Sequence, residues 1–478
     1  MDTLIFIEAL FLAALALLAF VFVISSIWER ERRAALIGGV TLLILLGGEI
    51  GLFALKAVGF FQGTPGFLLL LVGVVIPAVA LLLLIPLGVN PRALQGTKSY
   101  IVGEVKRFDE REQVFARNQP LPPDSERYRK FYSEHPQREE GDARRREMGG
   151  PLGVPGTIDK PNEGPSVAAL FATMSIPMHL GSPQIVEPQA HPYFLHVGRI
   201  SLSPEEATNR VKGFVRHLGA DLVGIAEVNR LWAYSRRGHI HWDNWEDWGK
   251  EIEVSHKYAI VFAMEMSRDM VWAAPHTPSA VESGTEYAKG AFIATQTASF
   301  VGNLGYPAEA HHLLHYDMLL VPLAIDAGLG ELGRHGYLMT KEFGPRLRLG
   351  CVTTDLPLIP DSPVDIGVED FCSVCKKCAA CCPSNSIPFD DPREVNGTLR
   401  WKVNAETCFD YWGRIGTDCS LCMRVCPWSH PRTPPHRLIT ELVVRNRIAR
   451  RTFSLMDDLF YGEKPQPVSP PEWAAHGD

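Results

Sequence analysis

Eight cysteines fall in one short stretch, at spacings that suit iron chemistry. They read Cys372-x2-Cys375-x2-Cys378-x3-Cys382-Pro383, then Cys408, then Cys419-x2-Cys422-x3-Cys426-Pro427. A [4Fe–4S] cubane takes four thiolates, one per iron, and in runs of this kind the fourth cysteine serves the other cluster. On that rule Cys372, Cys375, Cys378 and Cys426 hold one cluster, and Cys382, Cys408, Cys419 and Cys422 hold the second. Ten residues separate Cys408 from Cys419 where a regular repeat has two, so a loop must return to the second cluster. Zinc sites usually take four ligands in two pairs, and disulfides would not explain the paired Cys-Pro endings. Cys351 and Cys381 lie outside the register and read as buried apolar residues.

The chain around these ligands has 478 residues, room for more than one domain. Its net charge of −7, with no basic stripe, excludes a nucleic-acid binder. Oxygen-sensitive clusters point to a reducing or anaerobic setting.

The first 90 residues differ from the rest. Ala9 to Ile27 carries no charge, Ala34 to Leu55 carries only Glu49, and Phe67 to Val89 carries none. Each approaches the ~20 residues that cross a bilayer, so three transmembrane helices are expected. Met1 to Glu8 has Asp2 and Glu8 and no base, unlike the start of a cleaved signal peptide. Arg30, Arg32 and Arg33 lie between the first two helices, and Arg92, Lys98, Lys106 and Arg107 follow the third. By the positive-inside rule both basic segments face the cytoplasm, and with them the large carboxy-terminal part. Glu49 reads either as a protonated side chain bonded between helices or as a proton or quinone site.

Thr97 to about Gly164 is rich in Arg, Glu, Pro and Gly and poor in apolar residues, and is expected to be an extended, surface-wrapping segment. From Ser201 the pattern turns globular. Pro204–Leu218 reads as a helix behind a Ser203 cap, Asp221–Ala226 and Tyr258–Met264 as buried strands, Ser283–Leu304 as a long helix and Arg346–Thr354 as another strand. Helices alternating with strands suggest an α/β domain. Gly328–Gly336 lacks the strand and acidic residue of a dinucleotide fingerprint, and marks close backbone packing or a loop near a flat ligand. Trp232, Trp242, Trp245 and Trp248 crowd together with Tyr234, either capping the core or walling a planar ligand.

Several of these stretches resemble one known family. Phe108-Asp-Glu-Arg…Phe115-Ala-Arg, Asn303-Leu-Gly-Tyr306, Pro322-Leu-Ala-Ile-Asp-Ala-Gly-Leu-Gly-Glu-Leu-Gly-Arg-His-Gly336, Phe343-Gly-Pro-Arg-Leu-Arg348 and Thr354-Asp-Leu-Pro-Leu358 are similar to motifs of the corrinoid- and iron–sulfur-dependent reductive dehalogenases. So is the cysteine block with its altered second motif. The resemblance covers roughly residues 100 to 435. It implies a nitroreductase-like α/β domain that buries a base-off, cobalamin-type corrinoid, then a ferredoxin-like domain with two [4Fe–4S] clusters, and removal of halide from an organohalide. It implies a tyrosine proton donor in the helix before Leu304, where Tyr287 stands. It implies an arginine upstream of the cluster motif to stabilise the phenolate, for which Arg348 is the choice and Arg346, two positions away on a strand, the near equal. A third family position falls near His315. Family members are usually exported through a twin-arginine signal; fused helices in this chain favour instead an enzyme on the cytoplasmic face of the inner membrane.

The expected organisation is a three-helix anchor (1–95), a wrapping segment (96–200), a corrinoid and substrate domain (201–365), a two-cluster domain (366–435), and a carboxy-terminal helix and tail (436–478). The expected partners are an organohalide, membrane lipid and a low-potential donor (ferredoxin, flavoprotein or quinol). The cluster of Cys372, Cys375, Cys378 and Cys426 is expected to lie nearer the corrinoid, because the Arg348 strand leads into it. An epoxyqueuosine reductase-like enzyme would share corrinoid and clusters but needs a basic surface for tRNA. A membrane ferredoxin module that only passes electrons leaves the domain before residue 365 without a purpose.

Overall fold

The computed structural model describes residues 2–118, 125–148, 164–180, 184–185, 198–239, 245–464 and 466–475. It has two compact units, which cut across the linear organisation expected above. One gathers Met1–Asn90, Ile366–Cys375 and His430–Pro465; the other gathers Pro91–Asp365, Lys376–Ser429 and Gln466–Asp478.

In the first unit, the helices Asp2–Trp28 and Arg32–Ala57 are long and apolar enough to cross a membrane. They lie against each other where a Cβ on Gly38 would come within 2.9 Å of the Phe22 ring, so the missing side chain lets the backbones approach. The third apolar helix is shorter than expected. It runs Thr64–Leu81, and only a 3-10 turn, Leu82–Leu84, continues it. Pro86 explains the stop: the residue before a proline is pushed out of the α region, and Ile85 is extended. The strap that follows is held by the carboxy-terminal helices Pro434–Arg445 and Arg447–Tyr461. The Asn446 amide donates to the carbonyls of Leu82 and Ile85, both at 2.8 Å, and Arg450 donates to the carbonyl of Gly88 at 3.1 Å. Glu49 is partly exposed on the second helix.

The second unit is built on a sheet. Its strands are β1 (Gln184–Ile185), β2 (Leu222–Glu227), β3 (Tyr258–Glu265), β4 (Ala308–His311) and β7 (Leu347–Thr354), in the order β1-β4-β7-β3-β2. Two small hairpins, β5 (Glu331–Leu332) with β6 (Leu338–Met339) and β8 (Arg393–Val395) with β9 (Thr398–Arg400), stand apart. Every ladder is antiparallel among the described residues. The expected α/β domain is thus built on an antiparallel sheet, because long connections bring each strand back reversed. The 27-residue helix Thr277–Asn303 is one such connection, and it lies across β7 and β4. Ile260, Phe262, Ile293, Ala298, Val301 and Val352 fill the core beneath it, all but excluded from water.

The segment after Thr97 is folded more fully than its composition suggested. Helices Glu126–Glu134 and Pro136–Glu147 form, and their charges are spent on an ion-pair network. Buried Arg117 and Arg145 both pair with buried Asp142, and Arg145 also reaches Glu406 at 2.8 Å and Asp410 at 2.7 Å on the helix Ala405–Ile415. A buried charge is tolerated only when paired, so polar composition here encodes docking. Gly328–Gly336 proves to be close backbone packing: a Cβ on Gly330 would lie 1.9 Å from the Met339 carbonyl oxygen. Of the tryptophans, Trp232 is buried and donates its indole N–H to Thr97 at 3.1 Å. Trp248 lies beneath Arg111, 5.1 Å from its guanidinium carbon. Trp242 and the Trp245 side chain lie outside the described residues.

Candidate active site

One helical turn and one strand position create the central contact. Ser283 and Tyr287 are four residues apart on the helix Thr277–Asn303, so they share a face. Arg348 sits on β7 opposite Met264 of β3. Its guanidinium carbon lies 5.1 Å from the Tyr287 ring centre, and its Nη2 donates to Ser283 Oγ at 2.6 Å. Nη1 donates to the Leu347 carbonyl at 3.1 Å, while buried Nε has no hydrogen-bond partner among the described residues. Burial disfavours the cation, but Tyr287, Tyr337, Asp418 and Cys422 around it more than offset that and hold its pKa above the ordinary value.

Ser283 passes the contact on. Its hydroxyl lies 3.2 Å from Asp418 Oδ2, and Ser279 donates to Oδ1 of the same carboxylate at 3.2 Å. Burial raises the pKa of Asp418, against the pull of Arg348 and three serine hydroxyls. Asp418 adjoins Cys419, so this network runs from the tyrosine–arginine pair to a cluster ligand. Two more tyrosines close the site. Tyr337 is held well above a normal phenol by burial and by Cys422 and Cys408. Tyr316 is raised by burial and by Glu110, with Tyr287 also acting on it. Tyr287, Tyr316, Tyr337 and Arg348 all keep part of their surface accessible.

The structure brings the second cysteine set together. Burial, then the fields of Cys382 and Asp418, push the Cys408 thiol up to about 11. Burial, then Cys408 and Cys382, push Cys422 up to about 12. Cys419 is raised well above its ordinary value by burial, with Cys422 and Cys408 adding to it. Four thiols that repel one another as thiolates are a donor set that iron would neutralise. Cys382 differs: burial opposes its thiolate, but the Ser384 hydroxyl and backbone N–H groups, including that of Ser386 at 3.3 Å, lower its pKa. The loop after Cys408 is the helix Ala405–Ile415 and the turn that carries Asp418.

Of the first set, Cys372 and Cys375 lie on the helix Val368–Cys375 in the first unit. In the second unit Cys378 lies on the short helix Lys377–Ala380, which packs on Leu421–Arg424, and Cys426 follows that helix. It is Cys408 and Cys422, of the second set, that stand beside Arg348 and Tyr337. Cys351 is fully buried and its thiol is pushed up by burial, whereas Cys381 is partly exposed rather than buried.

The other candidates sit differently. Arg346 is buried and gives its donors to the Ser429 carbonyl at 2.9 Å, the Met266 carbonyl and Glu265 at 2.7 Å. His315 lies in the turn after β4, its ring tilted against His312 at 5.2 Å. Sequence reasoning missed Ser283, Asp418, Tyr316 and Tyr337. Only the helical spacing of Ser283 from Tyr287 and the adjacency of Asp418 to Cys419 were signals available in advance.

Comparisons with known proteins fit this geometry. Residues 371–430 match the 4Fe-4S dicluster domain family, so this stretch carries two [4Fe–4S] clusters. The chain is 34% identical over 295 residues to the tetrachloroethene reductive dehalogenase of Desulfitobacterium hafniense, covering 52% of this chain and 53% of that one. It is 33% identical over 293 residues to that of Sulfurospirillum multivorans, covering 55% and 58%. The likeness is to reductive dehalogenases. A solved reductive dehalogenase described for B12-dependent dehalogenation superposes with a TM-score of 0.58 at 27% identity, over 76% of this chain and 48% of that one. The chain thus spans about half the length of the relatives it matches.

Proposed function

We propose that the chain is a membrane-anchored reductive dehalogenase that removes halide from an organohalide at a corrinoid fed by its two clusters. The observation that carries this reading is the Arg348–Tyr287 pair standing beside Cys408 and Cys422, in a chain whose likeness to B12-dependent dehalogenation extends over three quarters of its length. The overall step takes two electrons and a proton, breaks a carbon–halogen bond and releases halide. A bound corrinoid would supply the low-potential cobalt chemistry that the clusters feed. The orphaned Arg348 Nε and the accessible faces of Tyr287, Tyr316 and Tyr337 fit such a group, and these side chains would meet it.

Tyr287 holds the proton on its phenol oxygen and delivers it to the carbon. Arg348 eases that delivery, because a cation beside the ring stabilises the phenolate left behind. Ser283 fixes the guanidinium in place, and Asp418 holds Ser283. Cys382, Cys408, Cys419 and Cys422 would hold the cluster that supplies electrons to the site, with a ferredoxin, flavoprotein or quinol as the donor. The two long apolar helices, with the apolar helix Thr64–Leu81 as a third crossing, anchor the chain in the inner membrane, which puts both basic segments and the catalytic unit on the cytoplasmic side.

The test is direct. Full-length protein purified without oxygen is expected to contain about one cobalt and eight irons and to release halide from an organohalide panel with reduced viologen. Absence of cobalt, or cobalt without halide release across the panel, overturns the proposal. Protease added from the periplasmic side of oriented vesicles should leave the catalytic unit intact; its digestion would reverse the topology.

A further inference from the structure

Away from the cysteines, the first unit holds a second group of metal-ligating side chains. Glu29 follows the last turn of the helix Asp2–Trp28, where its N–H bonds the Ser25 carbonyl at 2.8 Å, and its side chain is fully buried. Two imidazoles converge on it from the opposite end of the sequence. His430 and His436 flank Thr433, and their rings stack at 15° with centres 4.8 Å apart. One ligand atom from each of Glu29, His430 and His436 lies within 4.8 Å of the others, and His436 Nδ1 is 3.4 Å from Glu29 Oε1.

The groups behind the histidines show which ring atoms face the centre. His430 Nε2 lies 2.8 Å from Asp457 Oδ1, and His436 Nε2 lies 2.8 Å from the Tyr461 hydroxyl. Both bonds use Nε2, and His436 turns its Nδ1 toward Glu29 Oε1 and the Thr433 hydroxyl, which lies 2.7 Å from it. This is the arrangement metal-bound histidines have, in which the far nitrogen bonds a carboxylate or other polar group that sets tautomer and ring direction. The charges agree. Glu29 and Asp457 are both buried carboxylates, and a divalent cation beside them would cancel their charge. Buried carboxylates are costly unless so compensated.

We propose that Glu29, His430 and His436 form a site for one divalent transition-metal ion, of the zinc or ferrous class, with Asp457 and Tyr461 as positioning residues. Two imidazoles and one carboxylate suit either ion. The ion joins the end of the first apolar helix to the segment that follows the cluster cysteines. It acts as a clasp within the first unit, separate from the dehalogenation chemistry.

Zinc is the probe, because iron and cobalt are already accounted for. Full-length protein in detergent, purified without oxygen, is incubated with an equivalent of zinc, desalted and assayed for metal. About one zinc per chain is expected in the wild type and none in His436→Gln or Glu29→Gln, with cluster iron and its EPR signals unchanged. Asp457→Asn, which keeps all three ligands, is expected to weaken zinc about 10–100-fold in competition with a chromophoric chelator. X-ray absorption at the zinc edge of the wild type should show only nitrogen and oxygen neighbours at about 2.0–2.2 Å, with imidazole scattering. That measurement decides the matter even if the ligand variants fail to accumulate. Wild-type protein that retains no zinc, variants that retain it equally, or sulfur in the zinc shell would each overturn the site.

Discussion

The guanidinium of Arg348 lies 5.1 Å from the centre of the Tyr287 ring, with Ser283 on the same helix face holding one of its nitrogens. A strand and a helix thus fix one phenol and one cation against each other. The proposed chemistry rests on this pair, so the first test is to take it apart. Tyr287→Phe should leave cobalt and iron contents unchanged and lower turnover by about 10²–10⁴-fold, the usual range for a lost proton donor. Turnover within a few-fold of wild type would place the donor elsewhere.

Arg348 and Arg346 should behave oppositely when substituted. Arg348→Lys keeps the charge but loses the planar fork that faces the ring and Ser283 together, so turnover should fall at least about 10-fold with little change in melting temperature. Arg346 spends its donors on two carbonyls and Glu265 inside the protein. Arg346→Met should cost stability, on the order of 2–4 kcal/mol for carbonyls left without donors. Turnover per cobalt should survive in the molecules that fold. Thermal unfolding and cobalt-normalised rates, measured side by side, separate the two roles.

Cys408 is the ligand whose spacing departs from the regular repeat, and the structure places it with Cys382 and Cys422. Cys408→Ala should reduce iron from about eight toward four per chain. The EPR signal that remains should be that of the Cys372, Cys375, Cys378 and Cys426 cluster. Full iron content in the variant would show that another residue completes the second cluster.

Glu286 adjoins Tyr287, and burial pushes its carboxyl up to about 7, with Lys289 opposing and Glu282 and Asp221 adding to the rise. Its Oε2 is buried without a hydrogen-bond partner among the described residues. A folded-state pKa raised above the unfolded value means the native state binds the extra proton between the two, so stability falls as pH rises from about 4.5 through about 7. Glu286→Gln should therefore melt near the wild-type temperature at pH 5 and above it at pH 8. The gain is on the order of 2 kcal/mol. A melting advantage independent of pH would mean that Glu286 is ionised throughout.

Local pattern carried much of this protein. Thiolate spacing pointed to two cluster ligand sets, because a cubane takes four sulfurs at short range and the run repeats nearly in register, and the structure brings the second set together. Apolar runs marked the two long helices, and shorter apolar stretches placed β2, β3, β7 and the helix that carries Tyr287 within a few residues. Tertiary structure decided what no local pattern holds. It chose Arg348 over Arg346 as the neighbour of Tyr287, although the two stand one residue apart on either side of Leu347, because Glu265 and the carbonyls of Met266 and Ser429 hold the other guanidinium. It brought Asp418 to Ser283 across 135 residues, and with it Cys408 and Cys422 to the site. It turned the Arg- and Glu-rich stretch after Thr97 into docked helices, because the acidic partners that pair with its arginines lie on a helix nearly 300 residues away. Spacing along the chain sets which groups share a helix face or a cluster; which of them meet across long loops is set by how the buried charges find partners.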